Sequence, residues 1–324
     1  MYEDLKEKYA GLPVTIALPF GEKIVDARVQ KTWEVHKKVM IKAAVTGALF
    51  DREQNPSQPY TVEEIAREAI ECVEAGACSI HIHVRDDNGF PSADREKTLS
   101  VVRALRERFG YDVHIDGECL LGADFNEMLR PAYEDYYESA AVNTTATFMG
   151  DTLFCIPRPT AIATVEVLQE TGHKPQIALY NPGDVDNARR WLIDTGVLRP
   201  PVEWAIIPGV PGCAPMWDPL SMCDTLVAFV RRIIEADPQG LPFIWVASGG
   251  RASSYLTALS ILLGLHVRVG KEDTIWRYPH KDDLIERNAD VVRDTVQMAR
   301  LLGREPMSAH EYREAVGLSV EHKA

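Results

Sequence analysis

The segment Cys78-Ser79-Ile80-His81-Ile82-His83-Val84-Arg85-Asp86 is an apolar run that carries a His-x-His pair and leads into the turn-forming Asp87-Asn88-Gly89. Side chains alternate across a strand, so His81, His83 and Arg85 are expected on one face and Ile80, Ile82 and Val84 on the other. Two imidazoles on one face, about 7 Å apart along the chain before their rotamers converge, can hold one divalent metal. The turn places them at the strand's C-terminal end, where α/β proteins bind ligands. A lone His is more often a hydrogen-bonded core residue. A pair is harder to explain that way, because two buried imidazoles need two sets of partners.

A catalytic metal needs a third ligand, and Arg268-Val269-Gly270-Lys271-Glu272-Asp273 offers one. Glu272 with His81 and His83 makes a His2Glu set that leaves coordination positions open for substrate. Asp273 is then a candidate general base, and Arg268 the cation that holds it ionised and oriented. Read alone, Glu272 and Asp273 are better explained as solvated loop acids, capping whatever follows. The set exists only if the fold brings this segment beside the histidines.

The element pattern supplies that juxtaposition. Apolar, β-rich runs fall near 39–46, 78–85, 111–117, 139–145, 175–180, 203–208, 242–247 and 265–269. Helical patterns lie between them, clearest at 62–75, where Thr61 and Glu64 form a capping box and Ile65, Ala69, Ile70 and Val73 make an apolar stripe. Others run near 95–109, 160–171, 184–195, 219–236, 253–263 and 282–302. Eight βα units at this length predict an α/β fold, a (β/α)8 barrel. An open doubly wound sheet is the alternative, although no G-x-G-x-x-G follows any strand. Closing the barrel sets the eighth strand beside the first, one strand from His81 and His83. Residues 1–35, with Gly11, Pro13, Pro19 and Gly21, precede the barrel as an arm. The barrel spans 36–318, and 319–324 form a short tail.

Composition bounds the partners. The 324 residues are 46% apolar and 26% charged, as in ordinary globular proteins. A formal net charge of -13 argues against nonspecific binding to nucleic acid or anionic membranes. No run approaches the ~18 apolar residues of a membrane span, and Met1-Tyr2-Glu3-Asp4 does not open a secretory signal, so a cytoplasmic location is expected. The six cysteines show no C-x-x-C pair and fit reduced, mostly buried thiols. Cys119 and Cys213 lie near expected strand ends, but no base is assigned to activate either.

Ala44-Val45-Thr46-Gly47-Ala48, the H-x-H-x-R-D of 81–86, Gly209-Val210-Pro211-Gly212 and the G-x-H-V-R-V-G-x-E-D of 264–273 together resemble the β-keto acid cleavage enzymes. That group includes 3-keto-5-aminohexanoate cleavage enzyme. The likeness runs from about Val39 to Leu318, through Glu286-x-Asn288. It implies a (β/α)8 barrel that is usually oligomeric, a tetramer in the family pattern. It also implies zinc or another divalent metal on His81, His83 and Glu272, with Arg268 and Asp273 as the catalytic pair. Such enzymes convert a β-keto acid and acetyl-CoA into acetoacetate and a new acyl-CoA. Thr46, Arg85, Asp116 and Asn143 fall at substrate positions. CoA is expected near Gly212 and near Gly249, Gly250 and Arg251, because Gly-rich loops after strands can aim N–H groups at phosphate; tight turns explain them equally well.

Departures from the family pattern concentrate in the pocket. Leu49 stands where the aminohexanoate enzyme has an acid, and Asp116-Gly117-Glu118-Cys119 replaces Ser-Thr-Gly-Gly. Ala141 replaces a Thr, and Pro175-Gln176-Ile177-Ala178 replaces P-E-x-E. A neutral or differently placed polar β-keto acid is therefore expected, with a cationic one second, and Asp116 near the mouth facing a cation or Arg85. The other readings are a metal-dependent hydrolase, an aldolase-type lyase, or a non-catalytic metal-binding barrel. The hydrolase requires further His ligands on strands five and six, which instead end in Tyr180-Asn181 and Pro208-Gly209.

Overall fold

Each expected apolar run contributes one strand to a closed, all-parallel barrel. In chain order these are β1 (Ile41–Ala44), β2 (Ser79–His81), β3 (His114–Glu118), β4 (Ser139–Asn143), β5 (Lys174–Leu179), β6 (Glu203–Ile206), β7 (Phe243–Ala247) and β8 (His266–Val269). Neighbours in sequence are neighbours in space, and β8 pairs with β1 to close the ring. The computed structural model describes residues 1–12 and 27–319. The chain divides into units Met1–Glu34 and Val35–Ala324. The first carries a helix at Tyr2–Tyr9 with no buried residue and a 3-10 turn at Ala27–Val29. Pro13, Pro19 and Gly21 of the expected arm lie outside the described residues, as does 320–324 of the tail.

Six long helices cover the strands: α1 (Val62–Ala75), α2 (Arg95–Phe109), α3 (Arg158–Glu170), α4 (Pro219–Ala236), α5 (Ser253–Leu262) and α6 (Asn288–Leu301). The Thr61/Glu64 capping box opens α1, and Gly76 in the left-handed region closes it. The buried positions of α1 are Ile65, Ala66, Glu68, Ala69 and Cys72, with Ile70 and Val73 half-buried; α1 packs against both α2 and α6. Apolar residues fill the space between strands and helices. The barrel interior is mixed: Lys42, His114, Asp116, Ser139, Gln176 and Glu203 are buried there together with Met40, Ala178, Ala205, Phe243 and Trp245. Among the described residues no helix is long and apolar enough to cross a membrane.

Three local expectations change. The run 78–85 is not one strand: β2 ends at His81, and Val84–Arg85 pairs antiparallel with Pro91–Ser92. The helix expected over 282–302 begins only at Asn288, whose side chain is committed elsewhere. The 184–195 pattern changes to π-helix at Arg189–Ile193. A further helix, α7 (Ala309–Val316), was not signalled; its fully buried Tyr312 hydrogen-bonds Glu203 of the barrel at 2.6 Å. All six cysteines are free, and burial pushes the Cys119 thiol up to about 12 and that of Cys213 up to about 11, which disfavours the thiolate at both.

Candidate metal centre and active site

β2 and the loop after β8 bring the three expected ligands together. His81 Nε2 and His83 Nε2 lie 3.0 Å apart, and Glu272 Oε1 is 3.4 Å from the first and 3.3 Å from the second. Tetrahedral coordination with ligand bonds of ~2.0–2.1 Å puts ligand atoms ~3.3 Å apart, so these separations are those of three corners around one ion. Glu272 Oε2 is buried without a partner, a lone pair with nowhere else to go. Among the described residues this is the one such group of three or more ligand side chains.

The outer nitrogens of both histidines meet carboxylates. His81 Nδ1 is 3.2 Å from Asp116 Oδ1, and His83 Nδ1 is 3.4 Å from Glu118 Oε1. Parallel pairing of His81, the last residue of β2, with Asp116 sets the H-x-H beside the D-x-E of β3, and equal spacing gives each imidazole its own acid. Such contacts fix the tautomer and ring orientation of a metal ligand. Asp116 also binds Lys42 Nζ at 2.5 Å. Burial would raise the Asp116 carboxyl, but Lys42 and His81 outweigh it and hold it well below the usual range. Asp116 is thus fully buried behind the histidines, not at the mouth facing substrate or Arg85.

Charge also fits a divalent ion. Asp116, Glu118, Glu272 and Asp273 bring four carboxylates, while Lys42 and Arg268 bring two cations, leaving a deficit of two positive charges. Burial would lower the His81 pKa, yet Glu272 and Asp116 raise it to about 9; His83 is also raised, against burial, by Glu118 and Glu272.

Arg268 forms a fork on Asp273, with Nε to Oδ2 at 2.9 Å and Nη2 to Oδ1, and Nη2 also reaches Glu272 Oε1 at 3.0 Å. Burial nevertheless raises the Asp273 carboxyl, with Arg268 opposing it, which makes Asp273 a stronger base than a solvated aspartate.

Glycine and asparagine fix this loop. Gly270 has φ +137°, and a Cβ there would meet Ala44 O at 2.2 Å; one at Gly47 would meet Glu272 Cγ at 2.2 Å. The ends of β1 and β8 therefore interlock only because both motifs carry Gly. Asn288 accepts from Lys271 N at 2.8 Å and donates to Val45 O at 2.9 Å, while Lys271 Nζ binds Glu68 at 2.6 Å. This accounts for Asn288 of the Glu286-x-Asn288 element, while Glu286 contributes its backbone carbonyl to Lys271 Nζ at 3.2 Å. Gly270→Ala is expected to cost roughly 2 kcal/mol or more in denaturant unfolding of metal-free protein and to weaken metal binding by displacing Glu272. Unchanged stability and affinity would mean the close approach is not needed.

The other expected site residues separate from the centre. Arg85 donates from Nε to Thr46 Oγ1 at 3.0 Å, from Nη1 to Gly89 O at 2.6 Å, and from Nη2 to Gly47 O and Phe50 O. It clamps the loop after β1 to the Asp86–Gly89 turn, and both Arg85 and Thr46 are occupied in doing so. The break at His83 is what turns Arg85 away from the histidines. Asn143 ends β4 with a buried, unpartnered Oδ1. Gly249 and Gly250 pack on the loop after β6: added Cβ atoms would meet Pro208 O at 2.0 Å and Gly209 O at 2.4 Å, and one at Gly212 would strike Phe148 O at 1.9 Å. Their lack of a side chain answers loop-on-loop contact. Arg251 stacks 4.2 Å over Trp276 and bonds Lys281 O at 2.7 Å and Asp282. It lines a groove of about 510 Å³ with Trp217, Tyr255, His280 and Lys281. Gly250 N donates to Asp273 O at 2.9 Å, so the loop that bears Arg251 abuts the base.

A closed (β/α)8 barrel whose ionisable groups converge at the C-terminal mouth is the architecture of an enzyme. The chain belongs to the beta-keto acid cleavage enzyme family, whose model matches residues 38–318, and it is accordingly an enzyme that cleaves carbon–carbon bonds. It is 35% identical over 286 residues to the 3-keto-5-aminohexanoate cleavage enzyme of Fusobacterium nucleatum, covering 87% of this chain and 98% of that one. It is 27% identical to the 3-dehydrocarnitine:acetyl-CoA trimethylamine transferase of Rhizobium meliloti, covering 88% and 98%. A solved structure of ObcA with oxaloacetate shares the fold, with TM-score 0.67 at 18% identity over 82% of this chain and 68% of that chain.

Proposed function

We propose that this enzyme uses one zinc or similar divalent ion, held by His81, His83 and Glu272, to convert a β-keto acid and acetyl-CoA into acetoacetate and a new acyl-CoA. The observation that carries this reading is the convergence of two imidazoles and a carboxylate with an orphaned oxygen, beside a buried Arg268–Asp273 pair. When bound, the ion supplies Lewis-acid polarisation of the β-keto oxygen and stabilises negative charge developing there. Asp273 removes the proton from the carbon between the two carbonyls, and Arg268 holds its carboxylate in position as the charge changes. Carbanion attack on the thioester, transfer of CoA to the other carbonyl and retro-Claisen cleavage then complete the exchange. Asp116 and Glu118 keep the imidazoles oriented throughout.

For CoA, the aromatic and cationic lining of the Arg251 groove suits a base and its phosphates. Gly212, Gly249 and Gly250 shape the loops beside it. For the acid, Asn143 Oδ1 offers a free acceptor, while Asp116 is withdrawn from the pocket. Leu49, 40% exposed, leaves no carboxylate at the place where the aminohexanoate enzyme has one. A neutral or differently placed polar β-keto acid is the proposed substrate, with a homo-oligomeric, cytoplasmic protein as the setting.

The test is acetyl-CoA-dependent acetoacetate release across a panel of neutral, anionic and cationic β-keto acids. We expect at least one to be cleaved, and 3-keto-5-aminohexanoate to show kcat/KM at least ~10-fold below the best. Efficient cleavage of the 5-amino acid would overturn the reading of Leu49. No release from any acid would overturn the reaction.

A further inference from the structure

The two cations of the centre stand on one aromatic ring. Trp245, on β7 and only 2% exposed, has Lys42 Nζ 4.3 Å and the Arg268 guanidinium carbon 5.5 Å from its ring. Lys42 binds Asp116, which orients His81; Arg268 binds Asp273 and Glu272. Every carboxylate that these two cations hydrogen-bond thus leads to a ligand or to the base.

Lys42 makes the dependence plain. Its ammonium has no exposure, and Asp116 is the hydrogen-bond acceptor it meets among the described residues. A buried ammonium with one hydrogen-bond acceptor draws on further negative potential: the buried Glu203 carboxylate supplies some, and the Trp245 indole face, the strongest that an aromatic side chain can offer, lies directly against it. The ring is also fixed from the far side: Trp245 Nε1 donates to Glu203 Oε1 at 2.8 Å, and that oxygen also accepts from Gln176 Nε2 at 3.0 Å and Tyr312 at 2.6 Å. Glu203 is itself fully buried, so the indole is set in orientation before any ion binds.

We propose that Trp245 is a positioning residue for the metal centre, carrying Lys42 and Arg268 on its π-face so that the imidazole and carboxylate ligands are preorganised for the ion. This rests on the proposed metal centre and concerns how the chain holds its ligands. It makes metal affinity depend on the electron density of a ring that supplies no metal ligand.

Fluorination drains that density while leaving indole shape almost unchanged, so it separates cation–π support from packing. Fluorinated tryptophans placed site-specifically at 245, with one to three ring fluorines, are loaded with zinc against a chromogenic chelator, without substrate. Zinc affinity is expected to fall stepwise, reaching about 10-fold, within the 10–100-fold typical of outer-shell disruption, with little change in Tm. Trp245→Leu should lower affinity at least as much in the native background and markedly less beside Lys42→Met, because both changes remove the same support. Zinc affinity indifferent to fluorination would overturn the inference and leave the centre intact, as would Trp245→Leu acting equally in both backgrounds. Failure of the unsubstituted protein to bind any divalent ion would overturn the centre and this inference together.

Discussion

His83→Ala is expected to lower zinc affinity more than ~100-fold and turnover by ~10³ or more, the largest single effect in the chain. Removing an outer-shell partner of a metal ligand typically costs 10–100-fold, and His83 is itself a ligand, so ~100-fold is a floor. Lewis-acid stabilisation is worth several kcal/mol, and each 1.4 kcal/mol is about tenfold in rate. His83 sits after the end of β2, outside the barrel ladder, so its removal should leave the fold standing. Elemental analysis of the purified variant checks the first figure, and acetoacetate release checks the second. Full metal occupancy in the variant would show that the ion is held elsewhere.

Asp273→Asn should separate catalysis from binding. The substitution keeps shape and leaves Arg268 a hydrogen-bond acceptor, with Glu272 still 3.0 Å from its Nη2. What disappears is the proton acceptor. Turnover is expected to fall by ~10² or more with metal content and unfolding midpoint unchanged. Loss of metal together with activity would make Asp273 a structural partner of Arg268 instead of a base. Arg268→Lys gives a companion result: a point charge cannot fork across both oxygens of Asp273 while also reaching Glu272, so activity should drop even though the charge is kept.

The barrel was legible because buried parallel strands are nearly continuous apolar runs, and because helix signals such as the Thr61/Glu64 box are local. The ligand set was legible for a related reason. A His-x-His at one strand end and an acid pair after another need only the closing of β8 on β1 to meet. What strand periodicity could not supply was where β2 stops. Reading 78–85 as unbroken put Arg85 beside the histidines, whereas the chain turns at Ile82–His83 and sends it into the loop after β1. Asp116 was misplaced because its partners lie on β1 and β2, and register between strands is not written locally. The matching spacing of H-x-H and D-x-E was an available signal, as was Lys42 alone in an apolar strand, since a buried lysine demands a partner. Trp245 carried no signal, because a tryptophan in a strand reads as core.

The central claim is that His81, His83 and Glu272 hold a divalent ion without which the carbon–carbon bond is not cleaved. Acetoacetate release from the best acid of the panel, with protein stripped by chelation and titrated back with zinc, tests it directly. The account predicts background activity in the stripped protein and recovery rising with added metal to a plateau at about one ion per chain. Turnover undiminished in metal-free protein would contradict it.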